Sequence, residues 1–107
     1  MAEWTAKVTR TRPGLGERYA TFHRTIPEVL DDELHRAGVE SWRIWRDGDV
    51  LFHVVKTSKT WNDFIQSVQA TEVLDAQWKK QLDDILDGSE VYLPLVWQTD
   101  FTGQHAS

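Results

Sequence analysis

The chain has 107 residues, a formal charge of −5, 27% charged and 40% hydrophobic residues, and no cysteine. These values predict one domain over residues 1–107, with a core of about 4–101 and a C-terminal tail at 102–107, and they exclude disulfides and thiolate metal sites. The acidic balance argues against nucleic acid as a partner, and since no membrane span or signal peptide is visible, we expect a soluble, cytoplasmic protein.

Six tryptophans are an unusual number for so short a chain. An indole is costly to bury completely because its N–H needs a hydrogen-bond partner. The alternatives are a stacking site for a ligand, a subunit interface, or a core rich in tryptophan.

The first predicted strand runs from Trp4 to Arg12, because apolar and polar residues alternate there, and it ends at Pro13-Gly14. One face carries Trp4, Ala6 and Val8, and the other carries Thr5, Lys7, Thr9 and Thr11.

Gly16 to Gly38 predicts two helices separated by Pro27, whose ring disrupts the helix before it. Thr25 followed by Glu28 predicts a capping box for the second helix, and the glycine that closes the range predicts its end. His23 should therefore lie at a helix break.

A β-hairpin is predicted next, with strands Ser41–Arg46 and Val50–Lys56 joined at Asp47-Gly48. Both faces of this hairpin are partly apolar, so a ligand, a partner subunit or both should cover the second face. His53 is predicted to face either the seam between subunits or a pocket.

Two further helices are predicted, Thr60–Ala70 with Thr60 as its cap, and Glu72–Leu86 with Thr71 as its cap and Gly88 as its end. The apolar stripe of the second helix consists of Leu74, Trp78, Leu82 and Ile85. The amides of Gln77 and Gln81 lie on or beside that stripe, which suggests a polar pocket.

A last strand is predicted over Val91–Phe101, with Pro94 at an edge, a bend or a bulge. The order β-α-β-β-α-β predicts an α+β, ferredoxin-like fold, with a four-stranded antiparallel sheet and helices on one face. The other face, apolar here, predicts a homodimer packed sheet to sheet.

Tyr19 and His23 are the residues that point most directly to chemistry. They are four apart on a predicted helix and share one face, where a partly buried imidazole suits general acid/base catalysis. The alternative is a histidine that caps or packs at the Pro27 break. Histidines 23, 35, 53 and 105 contain no short-spaced pair, so no metal site is indicated.

Several segments resemble the L-rhamnose mutarotase family from about residue 5 to residue 101. They are Glu17-Arg18-Tyr19-Ala20-Thr21-Phe22-His23, Pro27-Glu28-Val29, Gly38, Ser41-Trp42-Arg43-Ile44-Trp45, Val50-Leu51-Phe52 and Gln77-Trp78-Lys79. The resemblance implies a dimeric α/β barrel that interconverts the α and β anomers of a 6-deoxy sugar without metal or cofactor.

By the same resemblance, His23 is the acid/base catalyst, as proton donor to the ring oxygen, and Tyr19, Trp42, Gln77 and Trp78 contact a monosaccharide. The second proton carrier stays open between water, Tyr19 and a carboxylate. Trp42 stands where the family has tyrosine, and Gln77 where it has the first of two tryptophans. These departures suggest L-fucose ahead of L-rhamnose.

Two other functions fit the same expected fold. One is a cofactor-independent monooxygenase of small aromatic molecules, which would also use an aromatic pocket with one histidine. The other is a non-catalytic dimer that binds a sugar or another metabolite. Fold alone does not decide between them.

Overall fold

The computed structural model describes residues 3–70 and 76–99. Its elements follow the predicted order, with each helical segment divided in two. They are β1 (Glu3–Thr11), α1 (Gly16–His23), α2 (Glu28–Arg36), β2 (Val39–Asp47), β3 (Val50–Thr57), α3 (Trp61–Ala70), α4 (Ala76–Ile85) and β4 (Leu86–Leu93).

The four strands form one antiparallel sheet in the order β2-β3-β1-β4. Leu51, His53 and Val55 of β3 are buried, whereas Phe52 between them is exposed, so the helices cover one face only. We call the covered face the inner face and the opposite one the outer face. This is the predicted ferredoxin-like arrangement, which is confirmed.

The inner face of β1 is its polar face. Thr9 and Thr11 are buried, while Trp4 on the other side of the strand is 57% exposed. The alternation of β1 therefore correctly separates two faces, but the side facing the helices is the one that carries threonine and lysine.

The predicted hairpin is confirmed, and its turn also anchors the start of α1. Both carboxylate oxygens of Asp49 accept hydrogen bonds, from the backbone N–H of Gly14 and of Gly16, each at 2.9 Å. A Cβ at Gly16 would collide with the carbonyl oxygen of Gly48, so this close approach requires glycine.

Two helix starts were predicted from capping residues, with different outcomes. The backbone N–H of Asp63 donates to the Thr60 hydroxyl at 3.2 Å, which confirms the cap of α3. The capping box of Thr25 and Glu28 is wrong, because Pro27 is the N-cap residue of α2 and no side chain caps it. The predicted Thr71 cap and Leu74 lie outside the described residues.

The last helix and strand meet earlier than predicted. The helix ends at Ile85, one residue before the predicted Leu86, and β4 begins directly at Leu86 rather than at Val91. Gly88, with φ of 88°, instead lies in a β-bulge, where three residues of β4 stand opposite one of β1. The strand stops at Leu93, before Pro94, and the predicted end at Phe101 lies outside the described residues.

The centre of the core is formed by Tyr19 of α1, Leu51 of β3 and Ile85 of α4. Phe64 of α3 is also fully buried. No helix among the described residues is long and apolar enough to span a membrane.

The outer face and the segment after β4 expose large apolar side chains. Those of the sheet are Trp4, Trp45, Phe52, Val91 and Leu93, and those that follow are Leu95, Val96 and Trp97. Within residues 3–70 and 76–99, no layer covers these apolar side chains of the sheet.

Candidate functional site

A cavity of about 780 Å³ lies between the inner face of the sheet and the helices. This volume is in the range of small-molecule sites. The lining residues that bear polar or aromatic groups include Lys7, Thr9, Tyr19, His23, Trp42, His53, Trp61, Trp78 and Glu90.

His23, the last residue of α1, presents one side of its imidazole to the cavity. Its ring stacks on Tyr19 at 4.2 Å between centroids and approaches the edges of Phe22 and Trp78 at 5.9 and 5.4 Å. Nδ1 is buried without a hydrogen-bond partner among the described residues, so Nε2 is the nitrogen left to face the cavity.

The protonation of His23 follows from this enclosure. Burial lowers the pKa of His23 below its ordinary value, and the Tyr19 carbonyl opposes this only in part. The imidazole is therefore neutral at pH 7. With its proton on Nδ1, Nε2 has a free lone pair and can accept a proton.

Tyr19 is buried beneath this imidazole and also lines the cavity. Burial raises the pKa of Tyr19 far above its ordinary value, so the phenol stays protonated at any pH relevant here. Its hydroxyl has no partner within residues 3–70 and 76–99 and is available to donate to a ligand. The helix spacing brings together the two residues predicted to act together.

Trp42 lies on β2 and is held by the neighbouring strand. Its Nε1–H donates to Nδ1 of His53 at 3.2 Å, and Nε2 of His53 lies 2.8 Å from the hydroxyl oxygen of Thr9. Since an indole N–H only donates, Nδ1 of His53 must be unprotonated and Nε2–H donates to Thr9. Trp42 therefore offers a ligand its ring but not its N–H.

His53 resolves one alternative left open by the sequence. It lies on the cavity side of the sheet rather than on the outer face, and it is only 6% exposed. Burial lowers the pKa of His53 to about 4, with smaller contributions from the charges of Lys7 and His23 and an opposing one from Glu90. With both nitrogens bonded, it serves as a structural neutral imidazole.

Trp78 and Gln77 diverge although they are adjacent in α4. Trp78 lines the cavity and stacks on Phe22 at 4.1 Å, so one of its faces is already covered. Gln77 is exposed and is not among the residues that line the cavity. Gln81 is exposed as well, so the predicted polar pocket for these amides is not seen.

The sequence analysis missed a group of four residues, which we call the polar cluster: Lys7, Trp61, Glu90 and Tyr92. The Lys7 ammonium donates to Glu90 at 2.9 Å, and the Trp61 indole N–H donates to the Tyr92 hydroxyl at 3.0 Å. Lys7 and Glu90 are 83 positions apart, and Glu90 preceded the predicted strand. The only signal in the sequence was the alternation of β1, which placed Lys7 on the polar face of that strand.

Metal binding was neither predicted nor indicated by the geometry. Within the part of the chain that the structure describes, no three His, Asp or Glu side chains are arranged to hold a metal ion. The polar groups that line the cavity include imidazoles, a phenol, ammonium groups and carboxylates, each of which can act through hydrogen bonds or proton transfer.

Comparisons of structure support the fold. The chain is similar to an L-rhamnose mutarotase from Formosa agariphila (23% identity, TM-score 0.67, covering 94% of this chain and 99% of that chain). It is similar to tetracenomycin F2 cyclase from Streptomyces glaucescens (18%, 0.63, covering 94% and 99%). It also resembles a dimeric ferredoxin-like protein from an uncultured marine organism (12%, 0.61, covering 94% and 93%).

Comparison with curated proteins finds no match. A family model described as L-rhamnose mutarotase matches residues 4–100, which is nearly the whole chain and includes every element of the fold. By this match the chain belongs to the L-rhamnose mutarotase family.

Proposed function

We propose that this protein is a mutarotase of a 6-deoxy-hexose and that His23 exchanges protons with the sugar. Family membership gives the class of reaction, an isomerisation of a sugar. The observation that carries the assignment to His23 is its half-enclosed imidazole, whose Nε2 faces an aromatic cavity while Nδ1 is buried.

Mutarotation opens the ring hemiacetal and closes it on the other face. Opening removes the proton of the anomeric hydroxyl and adds a proton to the ring oxygen, and closing reverses both transfers. No electrons and no atoms other than protons are exchanged with the protein. A positioned acid or base typically accelerates such a step about 10²- to 10⁴-fold.

The lowered pKa of His23 determines the direction of its first transfer. A neutral imidazole starts the cycle as the proton acceptor and returns the proton as an acid when the ring closes. We therefore revise the donor role inferred from the resemblance. The protonated phenol of Tyr19 is the neighbouring donor, and the rings of Trp42 and Trp78 supply apolar surface for the C–H groups of the sugar.

For the substrate we propose L-fucose ahead of L-rhamnose. The support is Trp42, which replaces the hydroxyl expected from the family resemblance with a ring whose N–H is already donated to His53. Gln77 does not contribute to this argument, because it is exposed outside the cavity.

We also propose that two copies of the chain pair through the outer face of the sheet. Its exposed side chains include two tryptophans and a phenylalanine, Trp4, Trp45 and Phe52. An apolar surface of this kind typically marks an interaction site. The two-fold pairing of identical surfaces is the commonest arrangement of oligomers.

The test of the catalytic proposal is anomer exchange measured by NMR saturation transfer with L-fucose and L-rhamnose. We expect His23→Ala to lose at least about a hundredfold in catalysed exchange. We expect Thr21→Ala, an exposed change on the same helix, to retain it. The wild-type rate should rise with pH and level off above the lowered pKa of His23, since the acceptor is the neutral form.

Exchange by folded His23→Ala at the wild-type rate would remove His23 from the mechanism. A wild-type protein that accelerates exchange of neither sugar would contradict the proposed function itself.

A further inference from the structure

Three members of the polar cluster, Lys7, Trp61 and Glu90, line the same cavity as His23. Besides its bond to Glu90, the Lys7 ammonium lies 5.6 Å from the Trp42 ring centre and 5.4 Å from that of Trp61. The Tyr92 hydroxyl also hydrogen-bonds the Glu90 carboxylate. Glu90 is thus held in one orientation by two neighbours on the inner face.

Hydrogen-bond capacity on this face is unevenly distributed. The donor of Trp42 and both ring nitrogens of His53 are used within the protein. A carboxylate has about four acceptor positions, and the hydrogen bonds of Glu90 with Lys7 and Tyr92 use two of them. Glu90, which lines the cavity, therefore keeps spare acceptor capacity.

We propose that Glu90, held by Lys7 and Tyr92, accepts a hydrogen bond from a hydroxyl of the sugar and thereby determines which epimer the protein turns over. The inference rests on the proposed function and deepens it by assigning the residue that distinguishes sugars. L-Fucose and L-rhamnose differ only in the direction of the hydroxyls at carbons 2 and 4, so a fixed acceptor can separate them.

The state of Glu90 suits this role. Burial alone would raise its pKa, but the hydrogen bonds from Lys7 and Tyr92 and the charge of Lys7 outweigh burial and hold the pKa of Glu90 below its usual range. The carboxylate is ionised at neutral pH. Its bond to a hydroxyl is then charge-assisted and roughly twice as strong as a neutral one.

Other carboxylates at the cavity are less suited. Glu40 on β2 is as exposed as Glu90, but it lies 3.8 Å from the Lys56 ammonium, whereas Glu90 lies 2.9 Å from that of Lys7. A carboxylate that its neighbours hold less closely is less fixed in orientation and discriminates weakly between hydroxyl positions. A site built around a fixed acceptor loses much more when the matching hydroxyl is displaced.

The experiment compares kcat and KM of anomer exchange for both sugars in the wild type and in Glu90→Gln. We expect the ratio of kcat/KM between the two sugars to fall by roughly 10- to 100-fold, as for a lost charge-assisted hydrogen bond. The loss should lie mainly in the KM of the preferred sugar. Glu33→Gln, which removes a carboxylate from an ion pair with Arg36 outside the cavity, should keep the wild-type ratio.

Lys7→Met is a second variant, because it leaves the Glu90 carboxylate in place but removes the ammonium that orients it. It should lower the same ratio while thermal unfolding shows a folded protein. Unchanged ratios in folded Glu90→Gln and Lys7→Met, with wild-type exchange intact, would overturn this inference and leave the proposed function standing. Absence of exchange in the wild type would instead overturn both.

Discussion

The imidazole of His53 shows how one residue connects the cavity to the stability of the fold. It accepts from Trp42 at Nδ1 and donates to Thr9 at Nε2, so it supplies the hydrogen-bond partner of a half-buried indole. Protonation at Nδ1 would remove the acceptor and bring a second cation beside Lys7. The network therefore requires a neutral ring.

The pH dependence of stability should reflect this requirement. The pKa of His53 is lowered to about 4 in the folded protein, against about 6.5 in an unfolded chain. The unfolded state binds more protons between these values, so stability is complete above pH 6.5 and falls as the pH drops toward 4. We expect the urea midpoint of the wild type to decrease from pH 7 to pH 5.

His53→Gln, which cannot titrate, should show a smaller decrease over the same pH interval. His23 contributes a decrease of the same sign, because its pKa is lowered too. The decrease should therefore shrink rather than vanish. An equal decrease in both proteins would show that His53 does not titrate as its surroundings require.

At the scale of elements, local sequence patterns predicted the helices and strands that local interactions stabilise. The hairpin and α3 came from alternation, a turn and a cap, and Tyr19 and His23 meet because they are four apart on one helix. The start of β4 was not predicted correctly, because Gly88 is compatible in sequence with both a helix end and a bulge. Lys7 and Glu90 meet through strand register, which no local pattern contains.

The junction of α1 with the hairpin gives a prediction for a single methyl group. Gly16→Ala places a Cβ against the Gly48 carbonyl and disturbs the hydrogen bond to Asp49. We expect it to lower the free energy of unfolding by about 1–3 kcal/mol, as overpacking typically does. Urea unfolding measures this.

Glu17→Ala is the matched control, because Glu17 is the next residue of the same helix turn and is exposed. Equal stability of Gly16→Ala and the wild type would mean that the turn can move away from the helix without cost.

At the scale of the whole molecule, the two faces of the sheet differ in the residues they carry and in what covers them. The inner face holds the polar and aromatic residues of the cavity, and the outer face is apolar and exposed. The sequence predicted an uncovered apolar face, because both sides of the hairpin are partly apolar. It did not predict that threonine and lysine of β1 would turn inward, since alternation does not state which side the helices cover.

Pairing through the outer face makes a prediction about mass in solution. Trp45→Lys or Phe52→Lys introduces a charge into the proposed interface and should shift the protein from dimer to monomer in sedimentation velocity. Val29→Lys changes an exposed apolar residue on α2 instead of the sheet and should leave the dimer intact. A wild-type monomer at micromolar concentration, or dimers of all three variants, would contradict this interface.

The bulge at Asp87–Ser89 has a consequence beyond local geometry. It shifts the register by two residues, so that Glu90 lies opposite Thr9, whereas the register of Leu86 continued without a bulge would place it opposite Lys7. A shift of two preserves which side each residue faces and changes only its position along β1. Insertions and deletions at this bulge are therefore an evolutionary route by which relatives could slide a carboxylate along the cavity without replacing any residue that contacts the ligand.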